Sequence, residues 1–475
     1  MKLSFVNQPW TIAAPPKVSD STGIWSYQVG LCLANYCEGL TAEGGQPQAH
    51  GIRDVSRIPS PIIGGERLTP ASNAGACTPR EINYYGRKEK TASHFEGDGS
   101  SIEYRAISSK LDSLARYPIA LARKLKLYPK LLPYFSTTLY HYDYIRQIAI
   151  DASKRSYDII HIHNFSQFVP IIRARNPKAK IVLHMHCEWL NRMERETIAS
   201  RLSQVDLIIS CSDYITNKIQ SRFPQYGGIC RTVNNGVDAN YFVPSVSSRP
   251  QHNLEAPQIL FVGRISPEKG VHDLIDAFIE VVKKYPRAIL TIAGPHFVVG
   301  KEFLFDLQPE PEVQALKEFY RLDYLKYVQS KVPASLSSQV IFTGSLPQQE
   351  LLPYYQKADV VINPSLSEAF GMTLVEAMAT QTPVIATKIG GMPEIVDDGV
   401  TGLLTEPGNP QALADAIVEL ISDPERAKAM GKAGRKKVLQ CYTWSKIAEC
   451  LAARYAEIGV DINSNVSQTK VRRSL

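Results

Sequence analysis

The run QILFVGRISPEKGVHDLIDAFIEVVKKYP (258–286) decides the fold. Its opening residues are almost continuously apolar, as a strand buried on both faces must be. A loop bounded by Gly263 and Gly270 follows and carries Arg264 and Lys269. Val271, Leu274, Ile275, Phe278 and Val282 then recur at helical spacing. Lys283 and Lys284 close that helix favourably to its dipole, and Pro286 stops it. Strand, loop and helix in this order form one unit of a parallel sheet covered by helices.

The same unit repeats outward. AILTIAG (288–294), VIFTG (340–344), DVVINPS (359–365) and PVIAT (383–387) read as further strands with helices between them. From Pro410 to Gln440 the pattern reads as one long helical segment, with Leu413, Ile417, Leu420 and Ile421 on one face. Upstream, KLSFVN (2–7), DIIHIH (158–163), KIVLHMH (180–186) and LIISCS (207–212) are apolar strand runs of a second sheet. VPSVSSRPQHNLEAP (243–257) is polar and aperiodic, and reads as the linker between two α/β domains. Residues 45 to 105 are rich in Gly, Pro and Ser, and read as a long insertion or loop of the first domain. The tail after Gly459 has the composition of a disordered segment.

Bulk properties agree with this division. A chain of 475 residues exceeds one hydrophobic core, which stops growing at about 250–300 residues. Its 44% hydrophobic and 21% charged content is that of a water-soluble globular protein. A net charge of +7 suits a polyanionic ligand and is too weak to imply nucleic acid. The eight cysteines contain no C-x-x-C pair and read as free, buried thiols in a reducing compartment. No run reaches the ~18 apolar residues of a membrane span, and MKLSFVN lacks a signal-peptide core. The expected location is the cytoplasm.

Chemistry concentrates at two loops of the second domain. Ligands of open α/β sheets bind outside the carboxyl ends of strands, where the 264–270 loop sits. Arg264 and Lys269 there suit a diphosphate, one as a planar fork and one as a point charge. NPSLSEAFGMTLVEAMA (363–379) places Glu368 after a buried strand and Glu376 on the next helix. Gly371, Met372 and Thr373 fall at that helix start, where free amides and the dipole favour an anion. The two carboxylates are placed to accept from sugar rings on either side of a phosphate group. Taken singly, the cations would be solvated loop charges and the glutamates capping or surface residues. Convergence on one sheet rim argues against that reading.

GRISPEKG, EAFGMTLVEAMA, PVIAT, GGMPE and DGVTGLL together resemble the retaining GT-B glycosyltransferases of family four. The resemblance runs from about 258 to 445, with NNGVDANYF (234–242), DIIHIHN and IVLHMH fitting more loosely in the first half. It implies two doubly wound Rossmann-like domains facing across a cleft. The first spans 1–242 with an insertion of about 45–135, the linker 243–257, and the nucleotide-sugar domain 258–441. Helix 442–458 would cross back to the first domain, ahead of the tail 459–475.

The resemblance also implies roles. Arg264 and Lys269 would neutralise the leaving diphosphate, Glu376 would bind the ribose, and Glu368 would contact the transferred sugar. The amides of Gly371, Met372, Thr373 and Gly23 would approach phosphates or sugar. Ser345 and Leu346 would lie near the base, and His186 matches the family's active-site histidine. The donor would be a nucleotide-diphosphate sugar and the acceptor a glycan, a lipid-linked glycan or a small molecule. Configuration would be retained, with the departing phosphate taking the acceptor proton.

Other readings compete. His161, His163, His184 and His186 form two H-x-H pairs, of which one member each is expected to fill the sheet. No flanking ligand completes a metal site, and no D-x-D triplet occurs, so neither metal nor cofactor is expected. GPHFVVGKE (294–302) has the wrong spacing for a Walker A loop. A sugar-nucleotide epimerase of the same two-domain fold would need the same diphosphate cleft, and a non-catalytic sugar-nucleotide or glycan-binding protein would keep the fold alone. Finally, Lys110, Arg116, Arg123, Lys124, Lys126 and Lys130 are interleaved with leucines. Such a segment suits peripheral contact with an anionic membrane, or else a helix packed on the first domain.

Overall fold

Apolar strand runs alternating with amphipathic helices produce two parallel sheets in the computed structural model, which describes residues 1–8, 24–33, 62–63, 66–67, 81–87, 102–108, 112, 137, 139–245, 255–298 and 314–460. The first sheet contains β1 (Lys2–Val6), β4 (Glu81–Arg87), β5 (Ile102–Ile107), β6 (Ile159–His163), β7 (Lys180–Met185), β8 (Leu207–Ser210) and β9 (Cys230–Thr232). A separate antiparallel pair joins β2 (Ile62–Ile63) to β3 (Glu66–Arg67). The second sheet holds β10 (Gln258–Val262), β11 (Ile289–Ala293), β12 (Val340–Gly344), β13 (Val360–Asn363), β14 (Val384–Thr387) and β15 (Leu403–Thr405).

Both sheets are wound the same way. The orders are β5-β4-β1-β6-β7-β8-β9 and β12-β11-β10-β13-β14-β15. Every pairing in them is parallel. In each, the first strand lies inside the sheet and the chain order reverses beside it. Such a switch point leaves a crevice at the carboxyl ends of the strands. The crevices lie between β1 and β6 in one domain and between β10 and β13 in the other.

Of the stripe expected on the Val271–Lys284 helix, Val271, Leu274, Ile275 and Phe278 are each no more than 1% exposed, while Val282 is half-buried and Val281 is buried in its place. This stripe shares a core with Leu413, Ile417, Leu420 and Ile421 of the Pro410–Ser422 helix. Each such side chain contributes about 1.5–3 kcal/mol by leaving water. The expected single helix from Pro410 to Gln440 is two, Pro410–Ser422 and Pro424–Cys441. Asp423 breaks it by capping the second helix through the amide of Arg426, and Pro424 cannot donate to the first.

The long insertion expected in the first domain is corrected more deeply. β4 and β5 lie within 45–135 yet form one side of the main sheet. EINYYGR and IEYRAI were illegible as strands because their inward residues are tyrosines mixed with charges. Tyr84 and Tyr85 are 1% and 0% exposed, the first stacked on Phe5 and the second edge-on to Tyr157. Of the basic stretch 110–130, only Asp112 is described. It is buried, and its carboxylate accepts from the amides of Asp143 and Tyr144 at 2.9 Å, capping the Tyr142–Arg155 helix. The lysines and arginines of that stretch lie outside the described residues, as do Gly23 and residues 461–475.

The Trp444–Glu457 helix packs on the first domain. Trp444, Ile447, Leu451 and Tyr455 share a core with Leu3, Phe5, Trp25 and Ile159. None of the six described cysteines is in a disulfide. Cys441 departs from the expectation of buried thiols: it is exposed, at the end of its helix. Among the described residues no helix is long and apolar enough to cross a membrane.

Candidate active site

A cavity of about 330 Å³ opens at the switch point of the second domain, faced by the first-domain segments that follow β7 and β9. The second domain lines it with Gly263, Arg264, Lys269, Asn363, Glu368 and the 369–373 turn. The first domain contributes His186 and Asn235. Chain order explains the convergence, since Arg264 and Lys269 follow β10 and Glu368 follows the adjacent β13. Gly270 ends the first loop at φ 65°, and a Cβ there would lie 2.1 Å from the carbonyl oxygen of Pro364. The two loops can touch only with glycine at this position.

Neither cation is isolated. Lys269 Nζ lies 2.6 Å from Glu368 Oε2, and Arg264 lies 3.0 Å from Glu268. Burial pushes the Glu368 pKa up, but the charge and hydrogen bond of Lys269, with the Phe370 amide and the Arg264 charge, together hold the carboxyl below its ordinary value. Its other oxygen accepts from the amides of Ala369 and Phe370. Glu268 is buried and also accepts from Ser266 at 2.8 Å. Each cation is thus aimed by a carboxylate yet keeps spare N–H donors for a phosphate. Glu268 had no sequence signal beyond its position between the two cations.

The Met372–Ala379 helix begins at this cavity from Gly371, and no side chain caps it. Asn363 Nδ2 reaches Thr373 Oγ1 at 3.5 Å. Glu376, one turn inside, is 4% exposed and does not line the cavity. Its oxygens accept from Tyr355 and Gln348, both at 2.6 Å. Burial raises its pKa, against the pull of those two bonds. Gln348 sits on the short Gln348–Glu350 turn. Ser345 is exposed and Leu346 half-buried in the loop after β12, outside the cavity wall.

The His184/His186 pair divides as expected, one ring buried and one at the cavity, whereas His161 and His163 are both buried. Residues two apart on a strand point the same way, so all four rings share one face under Trp25. His161, His163 and His184 are buried and only His186 reaches the cavity. The three bring ring nitrogens within 4.8 Å of one another. Five of their six nitrogens are engaged in hydrogen bonds, His184 Nδ1 with His161 Nε2 at 3.2 Å, His161 Nδ1 with Tyr455 at 2.7 Å, and His163 with Ser26 and His186 at 3.0 Å, while His184 Nε2 has no hydrogen-bond partner among the described residues. Burial lowers every one of these pKa values, that of His186 to about 4.

Beside the cavity the domains are tied together. Ser212 Oγ donates to the carbonyl of Ala369 at 2.7 Å. Glu394, in the GGMPE segment, accepts from the amides of Asp213 and Tyr214 at 2.8 and 2.7 Å. It thereby caps the Asp213–Arg222 helix of the other domain. Gly390 permits this path at φ 61°, with a Cβ position 1.6 Å from the Glu368 carbonyl oxygen.

Comparison with known proteins places this geometry. The model of "Glycosyltransferase Family 4" matches residues 104–241, and that of "Glycosyl transferases group 1" matches 244–437. A lipopolysaccharide 1,2-N-acetylglucosaminetransferase of Salmonella typhimurium is 31% identical over 61% of this chain and 70% of its own. The chain belongs to the family 4 glycosyltransferases. This glycosyltransferase is also similar to a glycogen synthase of Mycobacterium tuberculosis, 27% identical over 66% of this chain and 71% of that one. Sucrose-phosphate synthase of Thermosynechococcus elongatus shares the fold at a TM-score of 0.65, with 20% identity over 96% and 98% of the two chains. HepE of Anabaena, solved with UDP-glucose, shares it at 0.56, with 18% identity over 96% and 100%.

Proposed function

We propose that this glycosyltransferase moves a hexose-type sugar from a nucleotide-diphosphate donor to a glycan, lipid-linked or small-molecule acceptor, retaining configuration and using no metal ion. The observation that carries this reading is the cavity itself. Arg264, Lys269 and an uncapped helix start converge there, opposite His186 and Asn235 of the other domain. HepE, a fold neighbour solved with UDP-glucose, supports a nucleotide-sugar donor. The relatives named for glycogen and lipopolysaccharide synthesis support a glycan-type acceptor. Cysteines in no disulfide among the described residues suit the cytoplasm.

In the proposed step the bond from the sugar C1 to the diphosphate oxygen breaks and the acceptor oxygen bonds to C1. The acceptor proton passes to the departing phosphate. Arg264 and Lys269 meet the negative charge growing on that phosphate, and the amides of Gly371 to Thr373 supply neutral donors. Glu368 holds Lys269 in place and faces the sugar. Glu376 takes the ribose in exchange for Gln348. Fixed donors of this kind act without reorganising, so their effect falls on the transition state.

Transfer activity is therefore expected to persist in EDTA and to change little when Mg²⁺ or Mn²⁺ is added. Product release measured with and without acceptor separates the readings. Donor alone should give at most slow hydrolysis. Conversion of the donor to its epimer, or a strict divalent-ion requirement, would contradict the proposal.

A further inference from the structure

The two walls of the cavity are tied to each other from outside it. Cys211 and Ser212 follow β8 of the first domain, and Cys211 is bonded to the neighbours of both residues that this domain puts in the cavity. Its amide donates to the carbonyl of Met185, next to His186, at 3.1 Å. Asn234 Nδ2, next to Asn235, donates to the Cys211 carbonyl at 3.0 Å. The second domain meets this segment twice. Ser212 Oγ donates to the carbonyl of Ala369, the residue after Glu368. Glu394 takes the amides of Asp213 and Tyr214, one on each carboxylate oxygen. The first amides of a helix have no partner within it, so a carboxylate from the other domain suits them in charge and direction. Glu394 is also held from behind, since its own carbonyl accepts from Lys437 Nζ at 2.9 Å and from the Tyr442 hydroxyl at 3.1 Å.

We propose that Glu394 is a positioning residue for transfer, which fixes the spacing between the wall that binds the nucleoside diphosphate and the wall that carries His186 and Asn235. The proposal rests on the transfer reading above. Arg264, Lys269 and the helix start at Gly371 all belong to the second domain, so the diphosphate can bind without the tie. Bond exchange at C1 is more demanding, because a misplacement of about 1 Å can cost about 100-fold in rate. Loss of the tie should therefore fall on turnover and spare nucleotide binding. A residue that only stabilised the second domain would lower both together.

Hydrogen–deuterium exchange at Asp213 and Tyr214 reads the tie without any substrate. Both amides should be protected in the wild-type protein and exchange freely in Glu394→Ala. That variant should lose roughly 10- to 100-fold in kcat. Its Kd for UDP, or for GDP or ADP where the wild-type protein prefers one of them, should stay unchanged. Binding at full stoichiometry shows that the variant is folded. Glu394→Gln keeps one acceptor oxygen and should fall between wild type and Glu394→Ala in kcat. Ser212→Ala removes the neighbouring bond and should lower kcat by roughly three- to tenfold, the worth of one hydrogen bond. It carries the test if Glu394→Ala does not fold. Free exchange of both amides in the wild-type protein overturns the proposal. So does an unchanged kcat in these variants, or a Kd that weakens as far as kcat falls. Protected amides in a wild-type protein that binds a nucleoside diphosphate yet transfers no sugar would leave the tie standing and remove the transfer reading.

Discussion

Replacing Lys269 by alanine is expected to lower kcat/KM for sugar transfer by roughly 100- to 1,000-fold, and Arg264→Ala by a similar factor. One preorganised donor on a developing anion is worth about 3–4 kcal/mol. The two variants should differ in stability. Lys269 and Glu368 form a partly buried pair, each side chain 17% exposed. Removing the lysine leaves a carboxylate without its partner, which is costly in such a site. Lys269→Ala should therefore also lower the unfolding temperature, and Lys269→Ala with Glu368→Gln should recover the fold but not the turnover. Steady-state kinetics beside thermal unfolding separates the effects. Near-normal kcat/KM in both single variants would remove these cations from the reaction.

Acid is expected to unfold the first domain earlier than a typical protein of this size. Burial depresses the pKa values of His161, His163, His184 and His186, and the unfolded chain restores them to about 6.5. Between those limits the unfolded state binds more protons, so stability is complete above pH 6.5 and falls below it. His186 loses its contribution over pH 6.5 to about 4. Within its window each ring removes about 1.4 kcal/mol per pH unit. His272, lowered by burial to about 4, adds the same trend in the second domain. Thermal unfolding from pH 7.5 to 4.5 reads this directly. A flat unfolding temperature between pH 7 and 5 would show that these rings are not held neutral.

The second domain was legible because its information is local. A strand–loop–helix unit in a parallel sheet must place its loop at the carboxyl edge, so Arg264, Lys269 and Glu368 were bound to meet once β10 and β13 were neighbours. Residues that act across the chain were not legible. Glu268 aims Arg264, Asn235 faces His186, and Glu394 caps a helix 180 residues upstream. Nothing in their neighbourhoods names the partner. β4 and β5 were missed because tyrosine-lined, charge-bearing strands carry no apolar run. Spacing does not tell how deep a ring sits: members of an H-x-H pair share one face, and only the strand-end His186 reaches the cavity. Glu376 shows another limit: spacing located the carboxylate, but not the Tyr355 and Gln348 bonds that occupy it.

The central claim is that the cleft holds a nucleotide-diphosphate sugar on Arg264 and Lys269. Thermal unfolding of the wild-type protein and of the Arg264→Ala, Lys269→Ala double variant, each with UDP-, GDP- and ADP-sugars, tests it most directly. A ligand bound only by the folded state stabilises it by mass action, about 2.7 kcal/mol at 100 times its Kd. At least one nucleotide sugar should raise the wild-type unfolding temperature in EDTA, and the double variant should lose most of that rise. No shift with any donor, or an equal shift in both proteins, would contradict the account.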